Sequence, residues 1–218
     1  MIAISRDKET KSLLMKAAKE EFLEYGYQKA SLRNICKKAG VTTGALYFFF
    51  HDKEDLFASI VEPMANAVRT MILEHTSLEA TQQMDITTGI REDIHVAKKL
   101  MHFYYTNKKE ALLLLEKAQG SSYESFTDEL VKLMELESIK LFDAINAVMG
   151  KNSMFTECTL HWFAHLQVES FLHVLSHDMS EEEAMKQIEV VVTFLRGGYE
   201  KLVEVGMRKQ QEYNGHIE

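Results

Sequence analysis

The sequence predicts an all-α protein, and three observations support that fold class. Its 218 residues include one proline and ten glycines, too few for the turns that a strand-rich fold needs. Leu, Met, Ala, Glu and Lys, which favour helices, are abundant. Apolar residues recur at three- and four-residue intervals, as they do along one face of a helix. Hydrophobic residues make up 46% of the chain, enough for a substantial core.

The termini and cysteines bear on where the protein works. Residues 1–8 lack the basic-then-apolar layout of a secretory signal, and apolar runs such as Ala111–Leu115 are too short to span a bilayer. Cys36 and Cys158 lie far apart with no metal-ligand spacing, which is typical of a reduced compartment. We therefore expect a cytoplasmic protein without a membrane segment.

Charge is unevenly distributed along the chain. Residues 1–60 hold 10 Lys and Arg against 8 Asp and Glu, a net of +2, whereas residues 61–218 hold 15 against 25, a net of −10. Residues 25–51 contain four lysine and arginine residues and no acid. A local basic patch on an acidic protein is typical of a small surface that contacts phosphate.

The first predicted helix covers about residues 8–25. Leu14, Ala18 and Phe22 recur there at four-residue intervals and so share one face. Gly26 follows, and a glycine after the last periodic residue can adopt the left-handed conformation of a C-cap. We therefore expect the helix to end at Gly26.

Two shorter helices follow. Ser31 is expected to cap a helix over residues 32–39, and Gly40 to end it. Thr42 is expected to cap the next helix, which runs to about residue 48. Two helices joined by a glycine-containing turn of three or four residues form a helix-turn-helix.

The helix capped by Thr42 is a candidate for DNA recognition, because the second helix of such a pair fits the major groove. Thr42 and Thr43 offer hydroxyl groups near base edges, and Gly44 lets the backbone approach closely. Arg33 carries the guanidinium fork that matches guanine O6 and N7. The pattern alone leaves a second interpretation open, a helical hairpin in which Arg33 and Lys37 are merely solvated.

Residues 26–56 resemble the DNA-binding head of the tetracycline-repressor (TetR) family. The stretch Ser31–Tyr47, SLRNICKKAGVTTGALY, looks like the family's helix-turn-helix, and Phe50–Leu56, FHDKEDL, is similar to the motif that opens the fourth helix. The resemblance implies a three-helix head over residues 1–51. It also implies a larger ligand-binding and dimerisation body over residues 52–218, for about nine helices in all.

The resemblance implies two classes of DNA contact. One class reads base edges, and the other holds phosphates, in one case from the first turn of the fourth helix, where the dipole favours an anion. Phe49 matches a position that often contacts phosphate, so that contact is lost or becomes apolar contact with sugar. Base-edge contacts are assigned to Arg33, Thr42, Thr43 and Gly44, and phosphate contacts to Ser31, Tyr47 and Lys53.

Two departures from the family pattern bear on affinity. Phe48 and Phe49 stand where many members carry imidazoles, and Ala30 stands where threonine is frequent. Both departures predict modestly weaker or altered DNA binding without loss of the fold.

Asp52 and Asp55 are expected to begin a fourth helix that continues towards Glu74. Pro63 lies inside it, where a proline removes one backbone hydrogen bond and predicts a kink. In the TetR family this helix links head to body and swings on ligand binding. Pro63 is therefore either a preset bend near the joint or a static kink.

The rest of the chain predicts further helices after a polar stretch over residues 76–89. Breaks are expected at Asn107 and at residues 120–122, 150–153 and 178–180, and Ser180 with Glu183 forms a capping-box pattern. The predicted helical segments are 92–106, 108–118, 123–149, 155–177 and 181–205.

The last helix carries a candidate dimer contact. Gly197 and Gly198 lie mid-helix, where each glycine costs about 1 kcal/mol relative to alanine. A close helix crossing, within the chain or with a second copy, would offset that cost. TetR-family members dimerise through their last two long helices, so the resemblance implies a homodimer that reads a palindromic operator. The predicted interface residues are Leu195, Gly198, Tyr199 and Leu202.

The resemblance also implies a small-molecule effector, whose identity the sequence does not give. Aromatic side chains with polar edges and twelve methionines could line its pocket, although most such residues in a helical body form plain core. The acidic body suits a cationic ligand or serves solubility alone. The candidate pocket residues are His102, Tyr105, Tyr123, Phe126, Trp162 and Phe163.

A polar stripe in the penultimate helix consists of His161, His165, Glu169, His173 and His177. A histidine pair at i and i+4 can chelate zinc or nickel. Four such steps drift by about 160° around a helix, so the five residues cannot share one site. A solvated or dimer-facing stripe is the favoured interpretation, and we expect no metal and no cofactor.

An enzyme is the main alternative from another class. A di-iron bundle needs paired Glu-x-x-His motifs, and Glu92–His95 has no counterpart. No nucleophile elbow or phosphate-binding loop occurs. The sequence therefore predicts a non-enzymatic, ligand-responsive regulator that represses transcription as a dimer and is released by an inducer. An activator and a protein-binding helical scaffold stay open.

Overall fold

The computed structural model describes residues 2–81, 86–149 and 154–215. Regular structure in these ranges consists of nine helices without a strand, which confirms the predicted all-α class. The helices are α1 (Ile2–Lys29), α2 (Leu32–Ala39), α3 (Thr43–Phe49), α4 (Lys53–Thr81), α5 (Ile86–Thr106), α6 (Lys108–Glu116), α7 (Phe126–Met149), α8 (Glu157–Leu175) and α9 (Glu181–Gly215).

By its internal contacts the chain divides into two compact units. The head unit comprises Met1–Ala67 and Thr106–Phe126, and the body unit comprises Val68–Tyr105 and Thr127–Glu218. The sequence-based boundary after residue 51 divides the chain by function. It falls inside the head unit and stays a prediction.

The core of the head unit forms where α1 to α4 turn apolar faces inward. Leu14, Ala18 and Phe22 are fully buried, as the spacing predicts. The ring of Phe57 on α4 meets the Phe22 and Tyr27 rings edge-on, with 5.0 Å between centroids in each pair. Such aromatic contacts stabilise beyond the area they bury. The head unit thus has its own apolar core.

The helix-turn-helix is delimited by the expected glycine and threonine. Gly40 adopts the left-handed conformation at φ 67° and ψ 28°, and its N–H donates to the carbonyls of Cys36 and Lys37. Thr42 Oγ1 accepts from the Ala45 N–H at 3.2 Å and so caps α3. Both predictions are confirmed.

The prediction for Gly26 is only partly correct. The chain leaves helical geometry there, with φ 72° and ψ 164°. Those angles are not those of a left-handed C-cap, and helical hydrogen bonding resumes as far as Lys29. Positive φ still explains why glycine occupies the position.

The start of α4 confirms the predicted acidic cap. The Asp55 N–H donates to Asp52 Oδ1 at 2.8 Å, and the His51 N–H donates to Asp55 Oδ2 at 2.8 Å. The helix is continuous through Pro63, which is exposed. Whether Pro63 acts as a bend at a joint stays a prediction.

The predicted polar stretch over residues 76–89 is helical wherever it is described. Helix α4 continues to Thr81 and α5 begins at Ile86, while residues 82–85 lie outside the described part. Polar composition weakens helix propensity only slightly, and tertiary contacts override it. One such contact is made by the first residue of the stretch, where Thr76 Oγ1 donates to Glu137 Oε2 at 3.2 Å.

The body unit is built from long helices with two apolar clusters. One cluster centres on Phe142, Phe155 and Phe163, and the other on Met101 and Ile188. Ser180 and Glu183 form the predicted capping box: the Ser180 N–H donates to Glu183 Oε2 at 2.9 Å, and the Glu183 N–H to Ser180 Oγ at 3.3 Å.

Other boundaries in the body shift by a few residues. Helix α7 begins at Phe126 rather than residue 123, and α9 extends to Gly215, ten residues beyond its predicted end at 205. The expected break at 150–153 lies outside the described residues.

One described stretch, Lys53–Thr76, is long and apolar enough to cross a bilayer by length and composition. Core helices pass the same test, and Leu56 and Phe57 in this stretch are fully buried in the head.

Candidate nucleic-acid interface

Helix α3 is buried along one side and exposed along the other. Leu46 is fully buried and Phe50 is 2% exposed, which anchors the helix in the head core. The opposite side is formed by Thr42, Thr43, Gly44 and Tyr47, all exposed, and we call these four residues the recognition face. A short helix held from behind with its first turn open to solvent can enter a groove.

Helix α2 places two cations beside the recognition face. Arg33 and Lys37 are both exposed, and no acid occurs between residues 25 and 51 to neutralise them locally. Arg33 lies in the first turn of α2. An exposed guanidinium in that position is available for a bidentate contact to a base or a phosphate.

Ser31 occupies the N-cap position of α2, yet its side chain makes no capping hydrogen bond. The predicted N-cap position of Ser31 is confirmed, although its hydroxyl accepts no capping hydrogen bond. A buried carboxylate binds the same end of α2: the Ser31 N–H donates to Glu21 Oε1 at 3.3 Å, and Asn34 Nδ2 donates to the same oxygen at 3.1 Å.

Glu21 is a structural residue that the sequence reading missed. Its side chain is 1% exposed, and Lys38 Nζ lies 2.9 Å from Oε2. Burial raises the pKa of Glu21, but hydrogen bonds from Lys38, Asn34 and Ser31 outweigh it and leave the pKa lowered. A buried charge persists only with such partners. No local pattern marks Glu21, because its partners lie ten or more residues away.

Lys38, one of the four cations in the basic stretch, is committed to this network. Besides Glu21, its ammonium lies 3.4 Å from Glu24 Oε2 and 5.8 Å from the centroid of the Tyr25 ring. The charge available to DNA from this stretch is therefore carried by Lys29, Arg33 and Lys37, all exposed.

Lys53, a predicted phosphate contact, points its ammonium at the end of α1. Nζ donates to the Tyr27 carbonyl at 2.9 Å and the Gln28 carbonyl at 3.2 Å, and it lies 4.4 Å from the Tyr27 ring centroid. An ammonium has three donors. Two of them fasten α4 to α1, so a phosphate would compete for the group or share it.

A polar network inside the head unit links Tyr27, Glu54 and Ser122. Ser122 donates to Glu54 Oε1 from its N–H at 3.0 Å and from Oγ at 2.6 Å. Burial, followed by the hydrogen bond to Glu54, raises the pKa of Tyr27 far above its usual range. The Tyr27 N–H donates to the Lys117 carbonyl at 2.8 Å. The segment 106–126 is thereby fastened into the head.

Phe48 and Phe49 behave differently. Phe48 is 73% exposed, whereas Phe49 is half-buried between its neighbours, 4.9 Å from the Phe48 ring and 6.5 Å from the Phe50 ring between centroids. Neither side chain can donate a hydrogen bond to phosphate. The predicted contact of Phe49 with sugar stays a prediction.

The candidate effector residues are divided between the two units. Tyr123 and Phe126 belong to the head unit, and the other four to the body unit. His102 pairs with Glu181 at 2.6 Å, and Tyr105 Oη donates to the Met179 carbonyl at 2.9 Å.

The two remaining candidates lie elsewhere in the body. Phe163 is 6% exposed in an apolar cluster, and Trp162 is 58% exposed beside it. Membership of a single pocket stays a prediction for all six residues.

The candidate dimer residues divide in a similar way. Tyr199 and Leu202 pack on the cluster around Phe163, inside their own chain, and Leu195 is half-buried. A Cβ built on Gly197 or Gly198 meets no described heavy atom within 4 Å. No described helix of the same chain therefore crosses closely at these two glycines.

A family model supplies the deciding comparison. The model described as "Bacterial regulatory proteins, tetR family" matches residues 14–60, which span α1 to the first turns of α4. The chain therefore carries a TetR-family segment at residues 14–60. The match covers the recognition face, Arg33 and the Glu21 network.

Curated relatives and solved structures agree with the assignment. The chain is 47% identical over 53 residues to the transcriptional repressor BepR of Brucella suis, covering 24% of this chain and 25% of BepR. It is 22% identical to the repressor AcnR of Corynebacterium glutamicum, over 88% of this chain and 96% of AcnR. Across the first curated relatives, the matched segment spans 25% to 61% of the relative's length.

Two structural neighbours share the fold of this chain. A TetR/AcrR-type regulator from Aquifex aeolicus has a TM-score of 0.55 at 21% identity, covering 88% of this chain and 99% of that one. A gamma-butyrolactone receptor has a TM-score of 0.50 at 18% identity, covering 95% and 99%. Identity this low supports the shared fold alone.

Proposed function

We propose that this chain is a dimeric, ligand-responsive repressor of the TetR family that binds a palindromic operator. The observation that carries the proposal is the exposed recognition face of α3 beside exposed Arg33, within 27 acid-free residues. The family match supports the same function, and relatives such as BepR and AcnR are named as repressors.

Residue types and exposure support the roles in DNA binding. Thr42, Thr43 and Gly44 open α3, so short hydroxyl groups and a bare backbone meet the base edges. Arg33 reads a guanine or holds a neighbouring phosphate. Ser31, Tyr47 and Lys53 hold phosphates, and Phe49 rests on sugar. For Lys53 this role requires its third donor, or release of one α1 carbonyl when DNA binds.

The dimer forms, in this proposal, through the outward side of α9. Val190, Phe194 and Gly197 follow one another at i, i+4 and i+7 and so share one face. Val190 is 61% exposed and Phe194 76% exposed, and Gly197 has open space above it. A helix from a second copy would cover the exposed apolar groups and use that space. Gly198 stays in the interface, whereas Tyr199 and Leu202 support it from behind.

Release by a small molecule rests on similarity. One structural neighbour is named as a gamma-butyrolactone receptor. TetR-family proteins commonly respond to small-molecule ligands. We infer that the body unit, which lies outside the family model's match, holds the effector site. A regulator that acts on chromosomal DNA works in the cytoplasm, and it needs no catalysis.

Replacing Arg33 tests the proposed function most economically. Arg33→Ala is expected to weaken binding to the preferred operator by about 5- to 150-fold, the equivalent of about 1–3 kcal/mol for a lost bidentate guanine contact. Fluorescence anisotropy on labelled duplex at fixed salt measures the effect. Arg91→Ala, which removes an exposed arginine from the body unit, is the matched control and should bind as wild type does. Equal affinity for Arg33→Ala and wild type would refute the base-reading assignment.

A further inference from the structure

We propose that His161 and His165 on α8 form a binding site for a divalent first-row transition ion such as Zn²⁺. The two side chains are four residues apart, and their ring centroids lie 4.8 Å apart. Two imidazoles that share one zinc tetrahedrally, with Zn–N bonds of about 2.1 Å, have centroids about 5 Å apart. The observed centroid separation therefore fits two rings that bind one ion.

Each ring is also held by a carboxylate through its other nitrogen. His161 Nδ1 lies 3.0 Å from Glu135 Oε2 on α7, and His165 Nδ1 lies 3.1 Å from Glu169 Oε1. An ionised carboxylate only accepts hydrogen bonds, so each Nδ1 carries the proton. Nε2 of each ring makes no bond to that carboxylate, and it is the nitrogen that an ion would bind. A histidine oriented by a carboxylate at one nitrogen is typical of metal ligands, and that carboxylate makes the ligating nitrogen more basic.

The site offers two protein ligands. Within the described residues, no group of three or more His, Cys, Asp and Glu side chains could hold an ion. Water would therefore fill the remaining positions, and both side chains are open to it, with exposures of 55% for His161 and 39% for His165. Such a site binds reversibly rather than holding the fold together. Imidazole ligands favour zinc, copper and nickel over magnesium or calcium.

A second histidine pair on the same helix provides an internal comparison. The rings of His173 and His177 are 4.6 Å apart, but His177 Nδ1 lies 2.8 Å from the His173 carbonyl oxygen. Among the described residues neither ring has a carboxylate partner. The pair lies about 120° around the helix from the first. Both pairs thus have the same four-residue spacing, but of the two pairs only His161 and His165 have carboxylate partners.

Titration calorimetry of the full-length, tag-free chain with zinc chloride, after removal of bound metal by chelator, tests the proposal. Wild type and His173→Ala/His177→Ala are expected to bind zinc with similar affinity. His161→Ala/His165→Ala is expected to lose that binding or weaken it at least tenfold. Glu135→Gln keeps both ligands and is expected to weaken binding by about 10- to 100-fold, as loss of an orienting carboxylate does.

Circular dichroism and melting in the absence of metal show whether each variant folds as wild type does. Three results would overturn the assignment. One is no zinc binding by wild type at up to millimolar metal, and another is unchanged binding by His161→Ala/His165→Ala. The third is loss of binding in His173→Ala/His177→Ala while the first pair is intact.

Discussion

The head unit and the body unit differ in how their helices are specified. In the head, Gly40, Thr42 and Asp52 set helix ends through contacts a few residues away. In the body, long helices are ordered mainly by apolar clusters that join distant segments, such as Phe142 with Phe163. Local signals can be recognised from a single sequence. The family model matches residues 14–60, which lie within the head unit. The body unit thus lies outside the segment that matches the family model.

The largest expected effect separates dimerisation, which is assigned to the body unit, from DNA recognition, which is assigned to the head unit. Phe194→Asp places a charge in the proposed dimer face and should yield monomers. Operator affinity should fall by about 10²- to 10⁴-fold, because the second half-site no longer gains from effective concentration. Sedimentation velocity and anisotropy measure the two quantities.

Met207→Asp is the matched control for Phe194→Asp. Met207 is also an exposed apolar residue of α9, 43% accessible, but it lies about 140° around the helix from Phe194. This variant should remain dimeric. If Phe194→Asp were dimeric with full affinity, the proposed face would be wrong.

A smaller effect tests the buried Glu21, whose partners lie ten or more positions away, unlike those of the helix caps in the head. Glu21→Ala leaves the Ser31 N–H, Asn34 and Lys38 without their acceptor, which should lower the free energy of unfolding by about 1–3 kcal/mol. Urea unfolding at neutral pH measures the loss. Glu20→Ala, an exposed neighbour, should change it little. Equal stability of the two variants would contradict the structural role of Glu21.

The same residue predicts a pH dependence. Because the folded-state pKa of Glu21 is lowered, its stabilising contribution is present above the unfolded value of about 4.3 and is lost as pH falls through the folded value. The stability gap between wild type and Glu21→Gln should therefore shrink below about pH 4. A gap that widens on acidification would show that the pKa is raised instead.

The smallest effect tests the local caps themselves. Thr42→Ala removes the acceptor for the Ala45 N–H and should cost about 1 kcal/mol of stability. Thr43→Ala removes a hydroxyl one residue along, which makes no such cap, and should leave the unfolding midpoint nearly unchanged. A cost confined to Thr43→Ala would mean that α3 is held in another way.

The predictability of the fold follows from the same contrast. Helices α2 and α3 agree with prediction to within a residue, since glycine and hydroxyl caps act locally. The helical residues between 76 and 81 were missed because the polar composition of this stretch suggested a loop, whereas α4 continues through it. The extension of α9 to Gly215 runs through mostly exposed residues, so helix propensity supports it rather than tertiary contacts.

The candidate site was predictable to a similar extent. The recognition face follows from the motif. The contacts of Lys38 with Glu21 and of Lys53 with the α1 carbonyls do not follow from the motif. Glu21 lies 17 positions from Lys38, and the carbonyls that bind Lys53 lie 25 and 26 positions from it. Glu169 was visible as a member of the polar stripe, whereas the carboxylate that holds His161 was not. Glu135 lies on another helix, 26 positions distant.

Selection of binding sites from random duplex DNA by the full-length chain tests the central claim most directly. The account predicts enrichment of an inverted repeat whose half-sites are centred about one helical turn, 10–10.5 base pairs, or a multiple of it apart. Arg33→Ala should lose the preference at one position of each half-site. Recovery of a single asymmetric site, or of no enriched sequence at all, would contradict a recognition helix presented twice by a symmetric pair.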